Sequence, residues 1–368
     1  MFYELAKALT QKGYQIHVIC NLSTETSFPN LHIHKVKPYI TDSNLLPTSL
    51  SANIRYMINS ILVGIRVINE FNIDLIHTNS FIPMIVGGIL TKIRNKPVVA
   101  SVYDVFTGSS SDEWDTWRKF NKLPKYYVYL GKLLEKTCLS MPVSIIHSIS
   151  TATTQDIHNV NPNLLVETIY PSIDASNYSA ITEIVYDDYI LFIGRLVFYK
   201  NVEILIRAFQ LLAVESNPTQ LIIAGDGPLR GYLENLAKEF GISNSVIFLG
   251  SISNEEKIEY LRKCSALALP STFEGFGLVI LEAFLMRKLV LVSNVKPFDE
   301  IVDDNLNGYL IPHNDYHAWA EKIKQIILDK KTCKEMGEAG YLKYKEKFDF
   351  TNSISKMEAL YLKLIKKK

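Results

Sequence analysis

The chain has 368 residues, which is too long for one ordinary hydrophobic core and suits two domains. Hydrophobic residues make up 48% of it and charged residues 21%, so the composition is globular and excludes a disordered protein. The formal net charge of +1 gives no reason to expect a nucleic-acid partner.

Helical and strand-like patterns alternate through the first half of the chain. Apolar residues at helical spacing predict helices at 2–10, 51–71 and 84–93, one that ends near Leu139 and one that starts at Thr151. Short apolar runs predict strands at 15–20, 32–36, 74–77, 98–102, 143–149 and 166–169. Because strands and helices alternate, we expect a parallel, doubly wound sheet.

A stretch rich in Ser, Asn, Asp and Pro at 171–188 follows and predicts an interdomain linker. The second half restarts the alternation, with strands predicted at 189–193, 220–224, 246–249, 266–269 and 289–292 and helices between them. A final amphipathic helix is predicted at 351–367. The predicted domains are therefore 1–170 and 189–346, followed by a C-terminal helical segment at 347–368.

The stretch 270–283 is the most informative part of the chain. It holds two glutamates eight positions apart, Glu274 and Glu282, with glycines at 275 and 277. Glycines permit a tight turn and close backbone approach to a ligand, and the N-terminus of the helix that follows suits a diphosphate. Eight helical residues span about 12 Å, which is close to the reach of a nucleotide sugar. The alternative is that Glu274 caps the helix and Glu282 is a solvated helix residue.

This stretch resembles the retaining, nucleotide-sugar-dependent glycosyltransferases of family 4, which have the GT-B fold. The resemblance implies two Rossmann-like domains that face a cleft, a last helix that crosses back to the N-terminal domain, and sugar transfer with retention at the anomeric carbon. It implies that Glu274 contacts the donor sugar, that Glu282 contacts the ribose, and that the leaving phosphate of the donor serves as the base. The remaining donor-binding residues that it implies are Gly275, Phe276, Gly277 and Ile252.

Two cations follow the first strand of the second half. In the family that the chain resembles, an Arg and a Lys at this place hold the diphosphate, and here they are Arg195 and Lys200. Arginine offers a fixed fork of donors and lysine a mobile point charge, and both would stabilise a leaving diphosphate as its charge grows. The family usually has Lys-Gly, whereas this chain has Lys200-Asn201. The alternative is two exposed charges ahead of a helix.

No Asp-x-Asp motif occurs in the sequence, and the eight histidines show no metal-ligand spacing. Metal-dependent glycosyltransferases use such carboxylates to hold a divalent cation under the diphosphate. We therefore expect a site without a metal and without a cofactor, in which the nucleotide diphosphate sugar is a substrate. The turn Gly225-Asp226-Gly227-Pro228 also matches a turn of the family and is expected to be mostly structural.

Three residues of the N-terminal half are candidates for the acceptor side. Tyr103 follows a predicted strand where family members carry a His, and Asp104 keeps its match to the family. Tyrosine is a poor base at neutral pH, so the role of that His does not carry over to Tyr103. His77 matches a second His that is common in the family. A packed aromatic side chain is the alternative interpretation of Tyr103.

The first residues resemble the first helix and second strand of the family, without the strand and Gly-rich turn that normally precede them. The sequence therefore predicts an N-terminal domain whose first strand is missing. This departure, together with Tyr103, motivates a second hypothesis: a non-catalytic GT-B partner subunit that binds donor but does not turn it over. The acceptor of an active enzyme would be a glycan or a lipid-linked molecule.

The segment 114–136 mixes aromatic and basic residues, a combination that suits a lipid headgroup boundary. It predicts peripheral contact with the inner face of a membrane, and an ordinary helix pair with a solvated face is the alternative. The four cysteines form no CxxC pair and are expected to be reduced thiols of a cytoplasmic protein.

Overall fold

The computed structural model describes residues 2–22, 28–40, 50–109, 113–178, 185–214 and 219–366. The chain divides into two compact units. The first unit contains Met1–Tyr170 and Thr351–Lys368, and the second unit contains Pro171–Phe350. In the described part of the chain, no helix combines the length and the apolar character that crossing a membrane requires.

The first unit contains six parallel strands and seven helices among its described residues. The strands are β1 (Ile16–Leu22), β2 (Leu31–Ile40), β3 (Ile76–Asn79), β4 (Val98–Val102), β5 (Ile145–Ser148) and β6 (Val166–Thr168). The helices are α1 (Phe2–Gln11), α2 (Leu50–Phe71), α3 (Phe81–Arg94), α4 (Glu113–Phe120), α5 (Tyr126–Leu139), α6 (Thr151–Val160) and, from Thr351 on, α14 (Phe350–Lys366). Strand β4 is buried along its whole length and forms the centre of the core.

The strands of the first unit form two parallel sheets rather than the single sheet that the alternation predicted. One sheet has the order β1-β2 and the other the order β3-β4-β5-β6, and no described strand joins β1 to β3. Helix α2 packs on both β1 and β2 and on α3, which in turn packs on β3 and β4. Helices therefore connect the two sheets, and the sequence pattern did not reveal this because it counts strands without giving their pairing.

The C-terminal helix α14 is bonded to the first unit by side chains. Glu358 forms an ion pair with Lys12 and accepts a hydrogen bond of 2.9 Å from the Tyr14 hydroxyl. The hydroxyl of Ser353 donates to the carbonyl oxygen of Tyr170 at 2.5 Å. The apolar residues Ile354, Met357 and Leu360 are buried, as expected for the inner face of an amphipathic helix.

The second unit contains one six-stranded parallel sheet. Its strands are β7 (Tyr189–Ile193), β8 (Gln220–Ala224), β9 (Val246–Gly250), β10 (Ala266–Leu269), β11 (Leu289–Ser293) and β12 (Gly308–Ile311). Its helices are α7 (Glu203–Val214), α8 (Arg230–Glu239), α9 (Asn254–Lys263), α10 (Leu278–Leu285), α11 (Phe298–Ile301), α12 (Tyr316–Leu328) and α13 (Lys330–Lys347). Strand β12 was not predicted from the sequence.

The strand order of this sheet is β12-β11-β10-β7-β8-β9. The chain starts at β7, builds β8 and β9 on one side, and then crosses over to build β10, β11 and β12 on the other. The order therefore reverses between β7 and β10. In open parallel sheets, ligands bind outside the carboxyl ends of the strands at such a reversal. The predicted α/β class is confirmed, and the sheet topology indicates where to look for a site.

The described residues of 171–188 belong to the second unit. The hydroxyl of Ser172 donates to the carbonyl oxygen of Phe348, and the hydroxyl of Tyr344 donates to that of Ile173 at 2.6 Å. Ser172 is 8% exposed. These residues pack into the second unit even though their composition is typical of a linker.

Candidate functional site

Two loops meet at the carboxyl ends of β7 and β10. The first runs from Gly194 to a short 3₁₀ turn at Phe198–Lys200, and the second runs from Pro270 into α10. The backbone N–H of Thr272 donates to the carbonyl oxygen of Tyr199 at 2.8 Å and joins the two loops. Asn201 ends the 3₁₀ turn in the left-handed conformation, with φ of 50°, which Asn tolerates better than most residues. Replacement of the family's Gly by Asn201 therefore keeps the turn.

Lys200 and Glu274 form an ion pair across these loops. Each side chain is 15% exposed, so the pair is shielded from bulk water but reachable from it. The hydroxyl of Ser271 also donates to the Glu274 carboxylate, at 3.3 Å. The structure thus brings together two predicted site residues from opposite sides of the strand-order reversal. A cation and a carboxylate that are so placed can bind a phosphate oxygen and a sugar hydroxyl side by side.

Arg195 precedes Lys200 in the same loop, and its side chain is exposed. No hydrogen bond or ion pair joins its guanidinium group to another of the residues that the structure describes. Its backbone is held firmly, because the N–H of Leu196 donates to the carbonyl oxygen of Asp226 at 2.9 Å. Arg195 therefore offers a full set of donors from a fixed backbone position.

The Gly225-Asp226-Gly227 turn packs directly against the loop that carries Arg195. A Cβ atom on Gly225 would lie 1.9 Å from the carbonyl oxygen of Gly194, and the φ of Gly225 is 138°. A Cβ atom on Gly227 would lie 2.5 Å from the carbonyl oxygen of Leu196. The glycines are needed because two backbones touch, so this turn supports the site rather than lining it.

The glycines after Glu274 place the start of α10 at the same edge of the sheet. Gly277 has a φ of 88° and stands at the N-cap of α10, where no side chain caps the helix. Phe276 is 3% exposed, and its ring packs edge-on against Phe348 with 5.8 Å between ring centroids. Gly275 is partly exposed. Phe276 can therefore offer a ligand only its backbone, while its ring anchors the turn to the core.

Glu282 lies on α10 and has two partners. The ammonium group of Lys257 is 2.7 Å from its Oε1, and the hydroxyl of Tyr178 also bonds to the carboxylate. Burial, followed by the charge of Glu282, raises the pKa of Tyr178, so this hydroxyl stays a hydrogen-bond donor. The Glu282 side chain is 14% exposed. A carboxylate has about four acceptor positions, so these two bonds leave capacity for a further hydroxyl.

Lys257 and Tyr178 are site residues that the sequence did not reveal. Tyr178 lies in the stretch whose composition predicted a linker, and Lys257 lies on the polar helix α9 with no motif around it. Ile252, which the resemblance implies as a donor-binding residue, follows β9 and is partly exposed. Gly250 before it has a φ of 73°, and a Cβ atom there would lie 2.8 Å from the guanidinium group of Arg230.

The acceptor-side candidates lie in the first unit. The rings of His77 and Tyr103 both contact Phe2, at centroid distances of 4.8 and 6.4 Å. Burial raises the pKa of Tyr103, so it is a neutral side chain and not a base. Asp104 follows in the same loop and is partly exposed. The structure thus brings Tyr103 and His77 to the same aromatic side chain.

His77 is part of a chain of hydrogen bonds whose middle members, Ser101 and His147, are buried. Its Nδ1 bonds to the hydroxyl of Tyr361 on α14, and its Nε2 lies 2.7 Å from Ser101 Oγ. Ser101 Oγ lies 2.6 Å from His147 Nδ1, and His147 Nε2 lies 2.9 Å from the carbonyl oxygen of Ile169. We call these five residues the polar chain. Sequence reasoning singled out only His77.

The carbonyl oxygen at one end of the polar chain determines the direction of every hydrogen bond in it. The carbonyl oxygen of Ile169 can only accept, so His147 Nε2–H donates to it and His147 Nδ1 accepts from Ser101. Ser101 then accepts from His77 Nε2–H, and His77 Nδ1 accepts from the Tyr361 hydroxyl. Burial lowers the pKa of His77 to about 3 and that of His147 to about 4, so both rings are neutral at pH 7. The geometry gives His77 a structural role in addition to its candidacy at the acceptor side.

The described residues contain no group of three or more His, Cys, Asp or Glu side chains arranged to hold a metal ion. At the candidate site the charged groups are instead Arg195, Lys200, Lys257, Glu274 and Glu282. This donor set has more cations than carboxylates. Such a set suits an anionic ligand that carries hydroxyl groups.

Two family models match the chain, one for each half. Residues 1–177 match the model described as "Glycosyltransferase Family 4". Residues 177–343 match the model described as "Glycosyl transferases group 1". Together the two matches extend over both units and include every predicted site residue.

Curated relatives agree with these matches. An uncharacterised glycosyltransferase of Methanocaldococcus jannaschii is 28% identical over 96% of this chain and 91% of its own length. The N-acetyl-alpha-D-glucosaminyl L-malate synthase of Bacillus anthracis is 24% identical over 99% of this chain and 93% of its own. The chain is thus similar to glycosyltransferases along almost its entire length.

Solved structures agree on the fold. Sucrose-phosphate synthase of Thermosynechococcus elongatus has a TM-score of 0.81 at 18% identity, covering 99% of this chain and 92% of that one. The Anabaena protein HepE in complex with UDP has a TM-score of 0.70 at 20% identity, covering 90% of this chain and 85% of that one. At such identities these similarities establish the architecture, which is GT-B with two Rossmann-like domains.

Proposed function

Because the chain belongs to glycosyltransferase family 4 and is therefore a sugar-transferring enzyme, we propose that its donor is a nucleotide diphosphate sugar held by the second unit. The observation that carries this proposal is the Lys200–Glu274 ion pair at the strand-order reversal. HepE, which resembles the chain in fold, was solved with UDP. That likeness supports a donor site of the same kind.

The two cations have the role of holding the donor diphosphate. Arg195, whose guanidinium group pairs with none of the described residues, offers a fork of donors. Lys200 offers a charge that the protein orients through Glu274. When the bond from sugar to phosphate breaks, negative charge grows on the leaving diphosphate. Interactions that strengthen as this charge grows lower the barrier, so both cations contribute to the rate and not only to binding.

Glu274 has the role of contacting the transferring sugar. The Glu274 carboxylate is paired with Lys200, so an incoming phosphate would compete with it for the ammonium group. Donor binding would let the diphosphate take part of the ammonium hydrogen bonds and free Glu274 oxygens for sugar hydroxyls. Gly275 and Gly277 lie between Glu274 and the N-terminus of α10. No side chain caps that N-terminus, so its backbone N–H groups can also bind an anionic ligand.

Glu282 has the role of binding the ribose. Lys257 and Tyr178 hold its carboxylate in one orientation and leave acceptor positions open. Ribose does not take part in the reaction, so its contacts contribute the same binding energy before and during transfer. Backbone at Phe276 and the side chain of Ile252 would complete the donor site.

Retention and metal independence are parts of the same proposal. A leaving phosphate that acts as the base needs no protein carboxylate in that position, and the cations at the site would do the work of a metal ion. Activity is therefore expected to persist in excess EDTA. Complete loss in EDTA with recovery on adding Mn²⁺ would overturn the metal-independent mechanism.

The acceptor is proposed to be a glycan or a lipid-linked molecule recognised by the first unit, with Tyr103, Asp104 and His77 as candidate contacts. Tyr103 would donate a hydrogen bond rather than remove a proton, because burial keeps its hydroxyl neutral. The free thiols, three of them buried, support a reducing compartment such as the cytoplasm.

Calorimetry with UDP and GDP tests the diphosphate site directly. Arg195→Ala and Lys200→Ala should each weaken the binding of the preferred nucleotide about tenfold or more, because a hydrogen bond to a charged group contributes about 1.5–3 kcal/mol. Lys331→Ala is the matched control, since this side chain is 83% exposed on α13. Unchanged affinity in both site variants would refute the assignment.

The non-catalytic alternative is separated from the enzyme by turnover. A subunit that only binds donor would show the same calorimetric response and release no nucleoside diphosphate in the presence of any acceptor. Release of nucleoside diphosphate that depends on Lys200 and Glu274 supports the enzyme.

A further inference from the structure

Helix α5 presents an apolar face to the solvent. The exposed side chains on this face are Tyr126, Tyr129, Leu130, Leu133 and Leu134, which are 57%, 70%, 48%, 48% and 43% exposed. They recur at spacings of three and four residues and therefore form one stripe along the helix. We call this stripe the α5 stripe. A surface helix of a globular protein normally buries such a stripe.

The opposite side of α5 is fixed to the first unit, so the helix cannot rotate to bury the stripe. Glu135 is 3% exposed and accepts hydrogen bonds from the backbone N–H groups of Phe106 and Thr107, at 3.0 and 2.7 Å. It also accepts one from the indole N–H of Trp114 at 3.0 Å. A Cβ atom on Gly131 of α5 would lie 2.5 Å from the ring of Trp114 on α4, so α4 and α5 touch there. Turning α5 would break all of these contacts.

Positive charge borders the α5 stripe. Lys125, Lys132 and Lys136 recur at intervals of seven and four residues, which places them in one row along the helix beside the stripe. Lys122, Lys125 and Lys136 are exposed, and none of them forms an ion pair with a residue that the structure describes.

The acidic side chains of α4 and α5 do not offset this charge. Glu113 and Glu135 are buried. Asp115 is paired with Arg118 and Lys119 at 2.6 and 2.7 Å. In the described residues 113–139, the charged side chains that are exposed are therefore all lysines.

We propose that the α5 stripe docks on an anionic lipid bilayer surface. The leucines would enter the boundary between headgroups and acyl chains, the tyrosine rings would lie at headgroup level, and the lysine row would contact anionic headgroups. A second copy of the chain is a poorer occupant, because a two-fold contact through this face would bring the lysine rows toward each other. The Trp114 ring, which lies in the segment 114–136, packs against Gly131, and its indole N–H donates to Glu135.

This inference rests on the α5 stripe and the lysine row beside it, and it does not depend on sugar transfer. The experiment is flotation of the full chain with vesicles of phosphatidylcholine, and with vesicles of equal parts phosphatidylcholine and phosphatidylglycerol. We expect binding to the anionic vesicles, weaker binding to the neutral ones, and loss of binding as salt is added.

Two variants divide the apolar and charged contributions. Leu130→Ser/Leu133→Ser should lower the partition coefficient about tenfold or more. Its matched control is Leu328→Ser/Leu342→Ser, which changes leucines 75% and 59% exposed on α12 and α13 and should bind like the parent. Lys125→Glu/Lys136→Glu should lower binding about fivefold for each lysine lost. All of these sites are exposed, and circular dichroism checks that each variant is folded.

Equal binding of the Leu130→Ser/Leu133→Ser variant and its control would overturn the proposal. So would equal binding of the parent chain to neutral and anionic vesicles. Sedimentation that shows a dimer which Leu130→Ser/Leu133→Ser dissociates would assign the α5 stripe to a second copy of the chain and refute the lipid assignment.

Discussion

Replacing Ser101 by alanine should destabilise the first unit by about 2–4 kcal/mol, since it leaves two ring nitrogens without partners. Ser101 is fully buried, accepts from His77 at 2.7 Å and donates to His147 at 2.6 Å. A buried donor or acceptor that loses its partner costs about 1–3 kcal/mol. His147 is 1% exposed and should incur the larger share, whereas partly exposed His77 can be reached by water and should incur the smaller.

Hydrogen exchange read by mass spectrometry is the suitable assay, because it measures the opening free energy of each unit separately. The amides of β4 and β5 should exchange faster in Ser101→Ala, and those of β7 and β10 should not. Ser293→Ala is the matched control. Ser293 is also fully buried at the end of a strand, and its hydroxyl has no hydrogen-bond partner among the residues that the structure describes. Removing an unsatisfied hydroxyl should be neutral or stabilising.

The reasoning fails if Ser101→Ala and Ser293→Ala have the same effect on their own units. It also fails if Ser101→Ala accelerates exchange everywhere, because all five residues of the polar chain belong to the first unit. Tyr361→Phe provides a graded check, since it removes one bond at the end of the polar chain and should cost less than Ser101→Ala.

The remaining predictions concern pH, the two glutamates and one glycine. The pKa values of His77 and His147 are lowered in the folded state, so below pH 6.5 the unfolded chain binds protons more readily than the folded chain. The stability of the first unit should therefore fall as pH drops toward 4. The expected slope is about 1.4 kcal/mol per pH unit for each histidine. Glu274→Gln should lower kcat strongly. It should leave the affinity for free nucleoside diphosphate unchanged or higher, because the Glu274 carboxylate no longer competes for Lys200. Glu282→Gln should weaken the binding of nucleotide and of nucleotide sugar alike. Gly225→Ala should destabilise the second unit by more than about 1 kcal/mol, since its Cβ would lie 1.9 Å from a carbonyl oxygen.

Each of these has its own control or contrary outcome. A first unit whose exchange rates are insensitive to pH between 7 and 5, after correction for intrinsic exchange, would mean that the histidines are not buried as neutral rings. Loss of nucleotide affinity in Glu274→Gln with retention in Glu282→Gln would reverse the assigned orientation of the donor. Gly231→Ala, where a Cβ meets nothing within 4 Å on helix α8, should be neutral or stabilising beside Gly225→Ala.

The sequence predicted the elements better than their assembly. Strands 98–102 and 266–269 were predicted to the residue, because continuous apolar runs are typical of strands buried on both faces. The division of the first unit into two sheets was not predictable, since pairing depends on contacts between distant residues. Strand β12 was missed because its four residues include Gly308 and carry little pattern.

The candidate site shows the same division. Motifs suggested Arg195, Lys200 and the two glutamates, and the contact between Lys200 and Glu274 joins residues 74 positions apart. The partners of Glu282 could not be predicted, because Tyr178 lies in a polar stretch without periodicity and Lys257 on a helix rich in charge. The polar chain was not predicted for a related reason. Its members come from three strands, the residue after a fourth strand and the last helix, and only folding brings them together.

The position of α14 has a consequence for the order in which the protein is made. The second unit is one continuous segment, whereas the first unit needs residues from Thr351 onward to be complete. On the ribosome, the second unit therefore emerges whole before Glu358 can reach Lys12 or Tyr361 can reach His77. Until then the nascent first unit exposes the surface that α14 later covers. Chaperone engagement during synthesis should concentrate on that surface, and a released chain that ends at Phe350 should contain a folded second unit and an incomplete first one.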